Sequence, residues 1–133
     1  MKKRTLQQYT ELGNALKSLE FASQVPADVH RLSIDSTVQR FEFSIELFKK
    51  VLRSLLLEQY DIDVVSPREI FQEAFQVNLI QDEQLWARMI KDRNMTSHTY
   101  HEELADEIYA RIKKEYTPAM LDTYKILQKK FEF

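Results

Sequence analysis

The residues of this chain predict an all-α fold, and three observations carry that prediction. First, among 133 residues there is one glycine, Gly13, and three prolines, Pro26, Pro67 and Pro118; a β-rich fold needs many more tight turns than so few breakers allow. Second, Ile34, Val38, Phe41, Ile45, Phe48, Leu52 and Leu55 recur in alternating steps of four and three, a sustained helical seam. Third, Ser66-Pro67-Arg68-Glu69 and Thr99-Tyr100-His101-Glu102 both have the form of a capping box, the local signature of a helix start. The hydrophobic share of 44% and charged share of 30% suit a globular chain with a modest core, and the length suits a single domain over residues 1–133.

Taken in order, Tyr9, Leu12, Leu16 and Leu19 give an apolar stripe to a first helix over residues 5–21. Residues 25–28 break that pattern as a loop, with Asp28 as a candidate cap. The second helix, over residues 29–60, would span roughly 45 Å. Leu47, Val51 and Leu56 broaden its seam, so it should be central. Residues 61–65 connect it to a third helix, capped by Ser66 and running to 77, that buries Ile70, Phe71, Ala74 and Phe75. Residues 78–80 turn the chain. Asp82 caps a fourth helix carrying Leu85, Trp86, Met89 and Ile90. The last helix runs from about 100 towards 129 with Leu104, Ile108, Ile112 and Tyr116 inward and a kink at Pro118, where the ring removes a backbone bond. The basic-aromatic tail, 129–133, is expected to fray.

Composition closes off several function classes. There is no cysteine, hence no disulfide and no thiolate metal site. The three histidines show no metal-ligand spacing, so neither metal nor cofactor is expected. The basic start, Met1-Lys2-Lys3-Arg4, is followed by no apolar signal core, and no apolar run is long enough for a membrane span; the expected address is the cytoplasm. A formal net charge of −2 argues against a surface coated in nucleic acid but leaves room for a local phosphate site.

The chemistry concentrates in Arg93-Asn94-Met95-Thr96-Ser97-His98-Thr99-Tyr100. A guanidinium clamps phosphate with a planar fork of donors, an imidazole moves protons near neutral pH, and a phenol can donate, accept or be modified. In a continuous helix, positions five apart point about 140° apart. The capping box at Thr99–Glu102 starts a new helix near Tyr100, so a chain break is expected between Asn94 and Thr99; such a break lets Arg93 and His98 converge and puts free N–H groups beside them to favour anions. The ordinary alternatives are a helix-terminal cation for Arg93, a polar turn residue for His98 and a core aromatic for Tyr100. Lesser candidates are Arg40 as a phosphate contact, His101 beside the motif, and the pair Glu42 and Glu46, where Glu46 reads most simply as a surface ion pair with Lys50. His30 reads as a surface residue at a helix start, and Trp86 as core or interface rather than a base-stacking platform.

Gln39-Arg40-Phe41-Glu42-Phe43 with Glu46-Leu47, Ser66-Pro67-Arg68-Glu69 with Glu73-Ala74-Phe75, and Trp86 with Arg93-Asn94 and Ser97-His98-Thr99-Tyr100 form an ordered set. That set resembles the nucleotidyltransferase substrate-binding protein family of the HEPN superfamily over residues 6–127. The resemblance implies an up-and-down bundle of four to five helices, a homodimer or larger assembly, and a separate small nucleotidyltransferase as partner. In many such pairs the HEPN chain is an RNA-cleaving toxin and the transferase its antitoxin, in some cases adenylylating the motif tyrosine. It implies Arg93 and His98 as catalytic residues, Tyr100 as the modified position, and Asn94 and Ser97 as polar motif positions. Two other readings stand beside this one: a non-catalytic binding subunit of the transferase, and a plain oligomerisation domain. With Gly13 as its only glycine, the chain lacks the Gly-Ser loop on which such transferases hold a triphosphate, so any adenylyl transfer has to come from a partner chain.

Overall fold

A computed structural model describes residues 1–26, 31–98 and 101–133, with the backbone alone at 97 and 98. Among the described residues the elements are all helical, in the order α1 (Lys3–Gln24), α2 (Leu32–Tyr60), α3 (Pro67–Gln76), α4 (Glu83–His98), α5 (Glu102–Arg111), a π turn (Ile112–Tyr116) and α6 (Thr117–Phe131). None of these helices is long and apolar enough to cross a membrane.

The heptad-like seam does what its spacing dictates. All seven of its residues are buried, as are Leu47, Val51 and Leu56, and α2 packs against α1, α3, α4, α5 and the π turn. Each fully buried Leu or Phe contributes about 1.5–3 kcal/mol, so this helix anchors the bundle. The expected start at Val29, the Asp28 cap and His30 lie outside the described residues; the described chain enters α2 through Arg31 at φ 62°. On α1 the stripe Tyr9, Leu12, Leu16 and Leu19 is buried. Gly13 faces α6: a Cβ there would stand 2.4 Å from the Tyr124 hydroxyl oxygen. The bare backbone leaves room for Tyr124, whose ring stacks on Tyr9 at 4.3 Å and whose carbonyl accepts from the Tyr9 hydroxyl at 2.8 Å.

Helix α3 begins as its capping residues require. Ser66 Oγ accepts from the Glu69 N–H at 3.2 Å and lies 3.0 Å from the Glu69 carboxylate, with Pro67 in the first turn. It ends in a left-handed Asn78 (φ 65°), with Leu79 N–H bonded to Ala74 O at 2.8 Å and Asn78 N–H to Phe75 O at 3.1 Å. This double bond pattern satisfies the last carbonyls and turns Leu79 and Ile80 into the core. Phe75 is half-buried rather than buried. Asp82 caps α4 through the Leu85 N–H at 3.1 Å. Trp86 is a core residue: it meets Phe48 edge-on at 4.9 Å and stacks on Phe71 at 5.4 Å, fixing α4 to α2 and α3.

The final helix starts at Glu102, two positions on from the expected Tyr100, with His101 at its N-cap position making no side-chain cap bond; the Thr99 end of the expected capping box lies outside the described residues. Two expectations are corrected. The final helical run is not regular α-helix throughout. A π turn ends at Tyr116 and α6 restarts with Pro118 in its first turn, where the missing N–H costs nothing. Finally, the tail is packed. Phe133 stacks on Tyr9 at 3.6 Å, and its N–H bonds Gln128 O at 3.1 Å.

Candidate functional site

Helix α4 carries the motif, and the first finding there is a correction. The helix continues without a break to His98, so the chain does not break between Arg93 and His98. On a continuous helix these positions stand about 140° apart around the axis. Position 98 shares the register of Ala87, Lys91 and Asn94 instead. The side chains of Ser97 and His98, and Thr99 and Tyr100 entirely, lie outside the described residues.

Arg93 turns towards α2. Its Nε donates to Glu46 Oε1 at 3.1 Å, and its Nη1 lies 3.8 Å from Glu42 Oε2. Glu42 and Glu46 are one turn apart on α2, so a single guanidinium spans both. The Thr96 hydroxyl sits 2.9 Å from Glu42 Oε2 and equally close to the Arg93 carbonyl, tying the carboxylate back to the same turn of α4. Glu46 also accepts from Lys49 at 2.7 Å, which replaces the pair with Lys50 expected from spacing. Burial pushes the Glu46 carboxyl up, but the bonds and charges of Lys49 and Arg93 outweigh it and hold the group below its ordinary value. Arg93 remains 27% exposed in its side chain, Glu42 24% and Glu46 39%, so the cation is positioned yet reachable from solvent.

One residue before Arg93, the Asp92 carboxylate is buried at 5% exposure. Arg111 holds it with two parallel bonds, Nε to Oδ2 at 2.8 Å and Nη2 to Oδ1 at 3.0 Å, and the Tyr116 hydroxyl donates to Oδ2 at 2.5 Å. A charge so deep needs this full set of donors. Burial pushes the Tyr116 phenol up to about 12, reinforced by its bond to Asp92. The same ring stacks on Phe41 of α2 at 5.3 Å. Sequence reasoning missed this network. Its one signal was an aspartate in register with Leu85 and Met89 on the apolar face of α4.

The other candidates separate. Asn94 lines a groove of about 640 Å³ between α3 and α4 with Arg68, Phe71, Gln72, Lys91 and Met95. His101 is exposed and borders a smaller cleft of about 170 Å³ with Asp35, Glu42 and Thr96. Arg40 faces away from the motif, its Nε bonded to Ser18 Oγ at 2.7 Å and its Nη1 to Ser36, so it is not brought to this site. Among the described residues no group of three or more His, Cys, Asp or Glu side chains is placed to hold a metal ion.

Comparison with known proteins gives the family and the fold. Residues 7–129 match the family model "Nucleotidyltransferase substrate binding protein like". Over 91 residues the chain is 34% identical to a protein of Haemophilus influenzae named "Probable ribonuclease HepT", a match covering 65% of this chain and 62% of that relative's length. A crystal structure of a protein from Thermus thermophilus superposes with a TM-score of 0.79 at 31% identity, covering 88% of this chain and 98% of the other. A second, described as a mutant of the toxin-antitoxin MntA-HpeT, superposes with a TM-score of 0.74 at 16% identity, over 96% and 99% of the two chains, and shares the fold.

Proposed function

Since the chain belongs to the nucleotidyltransferase substrate-binding protein-like family, we propose that it is the ribonuclease half of a two-component system whose other half is a separate nucleotidyltransferase chain. The observation that carries this reading is Arg93. It is held by Glu42 and Glu46 at the end of α4, still open to solvent, five positions from His98 in a chain resembling a probable ribonuclease.

In this reading His98 takes the proton from an RNA 2′-hydroxyl. The 2′-oxygen attacks the adjacent phosphorus, the 5′-oxygen leaves with a proton, and a cyclic phosphate remains. Arg93 stabilises the charge that builds on the phosphoryl oxygens. The requirement for a 2′-hydroxyl restricts the reaction to RNA. One imidazole cannot serve as base and acid in the same step, so a second proton mover is needed: His98 of a second copy, Tyr100, or water. The resemblance to a family of homodimers favours the second copy. A homodimer with composite sites follows from that choice. Tyr100 is the position at which the partner would attach AMP and silence the enzyme, with Asn94 and Ser97 as polar neighbours. The setting is cytoplasmic.

The alternative is a non-catalytic substrate-binding subunit of the transferase, in which the Glu42 and Glu46 carboxylates, adjacent to Arg93, keep phosphate away. The test is RNA cleavage in EDTA by wild type, confirmed unmodified at Tyr100 by intact mass, beside His98→Ala. Cleavage by wild type alone supports the enzyme. Two equally inert proteins, with transferase binding retained, give the binding subunit.

A further inference from the structure

Packing alone does not account for the Asp92 network. A carboxylate and a guanidinium inside a small core are expensive, and an apolar replacement of the same shape is often as stable or more so. Yet the fold goes to some length to build this pair. Arg111 immediately precedes the π turn and Tyr116 is its last residue. In an α-helix these two positions, five apart, would diverge by about 140°. The i→i+5 geometry of a π turn brings such positions round towards one face, and here both reach the same carboxylate. Pro118 follows directly, in a helical turn where its missing N–H is tolerated.

What the carboxylate anchors is the backbone that carries Arg93. Successive helical residues point about 100° apart, so Asp92 faces α5 and the π turn while Arg93 faces α2. The peptide between them is gripped from two sides: Asp92 by Arg111 and Tyr116, Arg93 by Glu46 and Glu42. Without the first grip, the last turns of α4 would be tied on the α2 side alone, and the guanidinium would shift with them.

We propose that Asp92 is a positioning residue for Arg93: its buried carboxylate, held by Arg111 and Tyr116, sets the rotation of the last turns of α4 and so the direction from which Arg93 meets a phosphate. The proposal rests on the ribonuclease reading for its kinetic consequence, but its structural content can be measured without it.

The experiment compares wild type with Asp92→Asn and Tyr116→Phe by two readouts. One is the kcat and KM of RNA cleavage. The other is the nitrogen-15 NMR signal of the Arg93 Nε–H, assigned by its loss in Arg93→Lys. Asp92→Asn should lower kcat roughly 10- to 100-fold, as small misplacements of a reacting group do, with KM within about twofold and the helical circular dichroism unchanged. Its Arg93 Nε–H should exchange with water at least about tenfold faster, as expected of a charge-assisted bond that has loosened. Tyr116→Phe, which removes one donor of three, should fall between. A folded Asp92→Asn with wild-type kcat and an unchanged Arg93 signal overturns the proposal. If wild type cleaves no RNA, the ribonuclease reading fails, and the Arg93 signal alone decides the role of Asp92. If Asp92→Asn does not fold, Asp92→Asn with Arg111→Gln removes both charges. A loosened Arg93 signal in that double variant sustains the proposal, and a wild-type signal overturns it.

Discussion

Arg93→Ala separates a catalytic cation from a structural one, because the two roles predict different magnitudes. Structurally, the substitution removes one hydrogen-bonded ion pair at 3.1 Å and a looser one at 3.8 Å, with all three side chains between 24% and 39% exposed. Pairs of that kind contribute at most about 1 kcal/mol each. The expected loss is below about 2 kcal/mol, or less than about 8 °C of Tm for a domain of this size. Catalytically, deleting a group that stabilises developing phosphoryl charge costs about 10²–10³ in rate. Initial rates on an unstructured RNA in EDTA, measured beside calorimetry, would show a small thermal shift and a large kinetic one. Arg93→Lys should recover part of the rate, since it keeps the charge but loses the planar fork. Retention of wild-type cleavage by a folded Arg93→Ala would refute the reasoning and leave Arg93 with a structural role alone.

Two further outcomes are expected. Trp86→Ala should cost about 3–5 kcal/mol, lowering Tm by roughly 10–20 °C, because it empties the junction of α4 with Phe48 and Phe71; a fall below about 3 °C in calorimetry would contradict that packing. In an alkaline absorbance titration of the folded protein, Tyr116 should ionise near its raised value of about 12, above the ordinary tyrosine value of about 10. The raised phenol contributes stability that is fully present below about pH 10 and lost as pH rises through about 12. Tyr116→Phe should therefore flatten the dependence of stability on pH across that window, and an unaltered slope would count against the Asp92 bond.

How much can be read from the residues depends on how local each cause is. The Ser66–Glu69 start and the α2 seam are legible because each is decided within a turn or two by neighbours along the chain. The continuation of α4 to His98 is missed because the break was read from the Thr99–Glu102 capping box, which marks where a helix starts and not how far the preceding one runs. The partners of Arg93 lie 47 and 51 positions away on α2, a distance that no spacing rule covers. The π turn reads from sequence as a kink at Pro118 because the proline is a local signal, whereas the Asp92 carboxylate that Arg111 and Tyr116 both reach lies on a different helix. Phe133 reads as fraying because its partner, Tyr9, is at the other end of the chain.

Helix α2 also constrains how sequences of this kind can change. Phe41, Ile45 and Phe48 fill the core, while Glu42 and Glu46, interleaved with them, hold Arg93. A helix is a rigid ratchet: a core substitution that rolls it displaces both carboxylates by the same angle. Drift at the buried positions is thus filtered twice, once by folding and once by the aim of a side chain on another helix. Variation in the apolar seam should be narrower beside Glu42 and Glu46 than towards Leu52 and Leu55, where the same helix has only the core to satisfy.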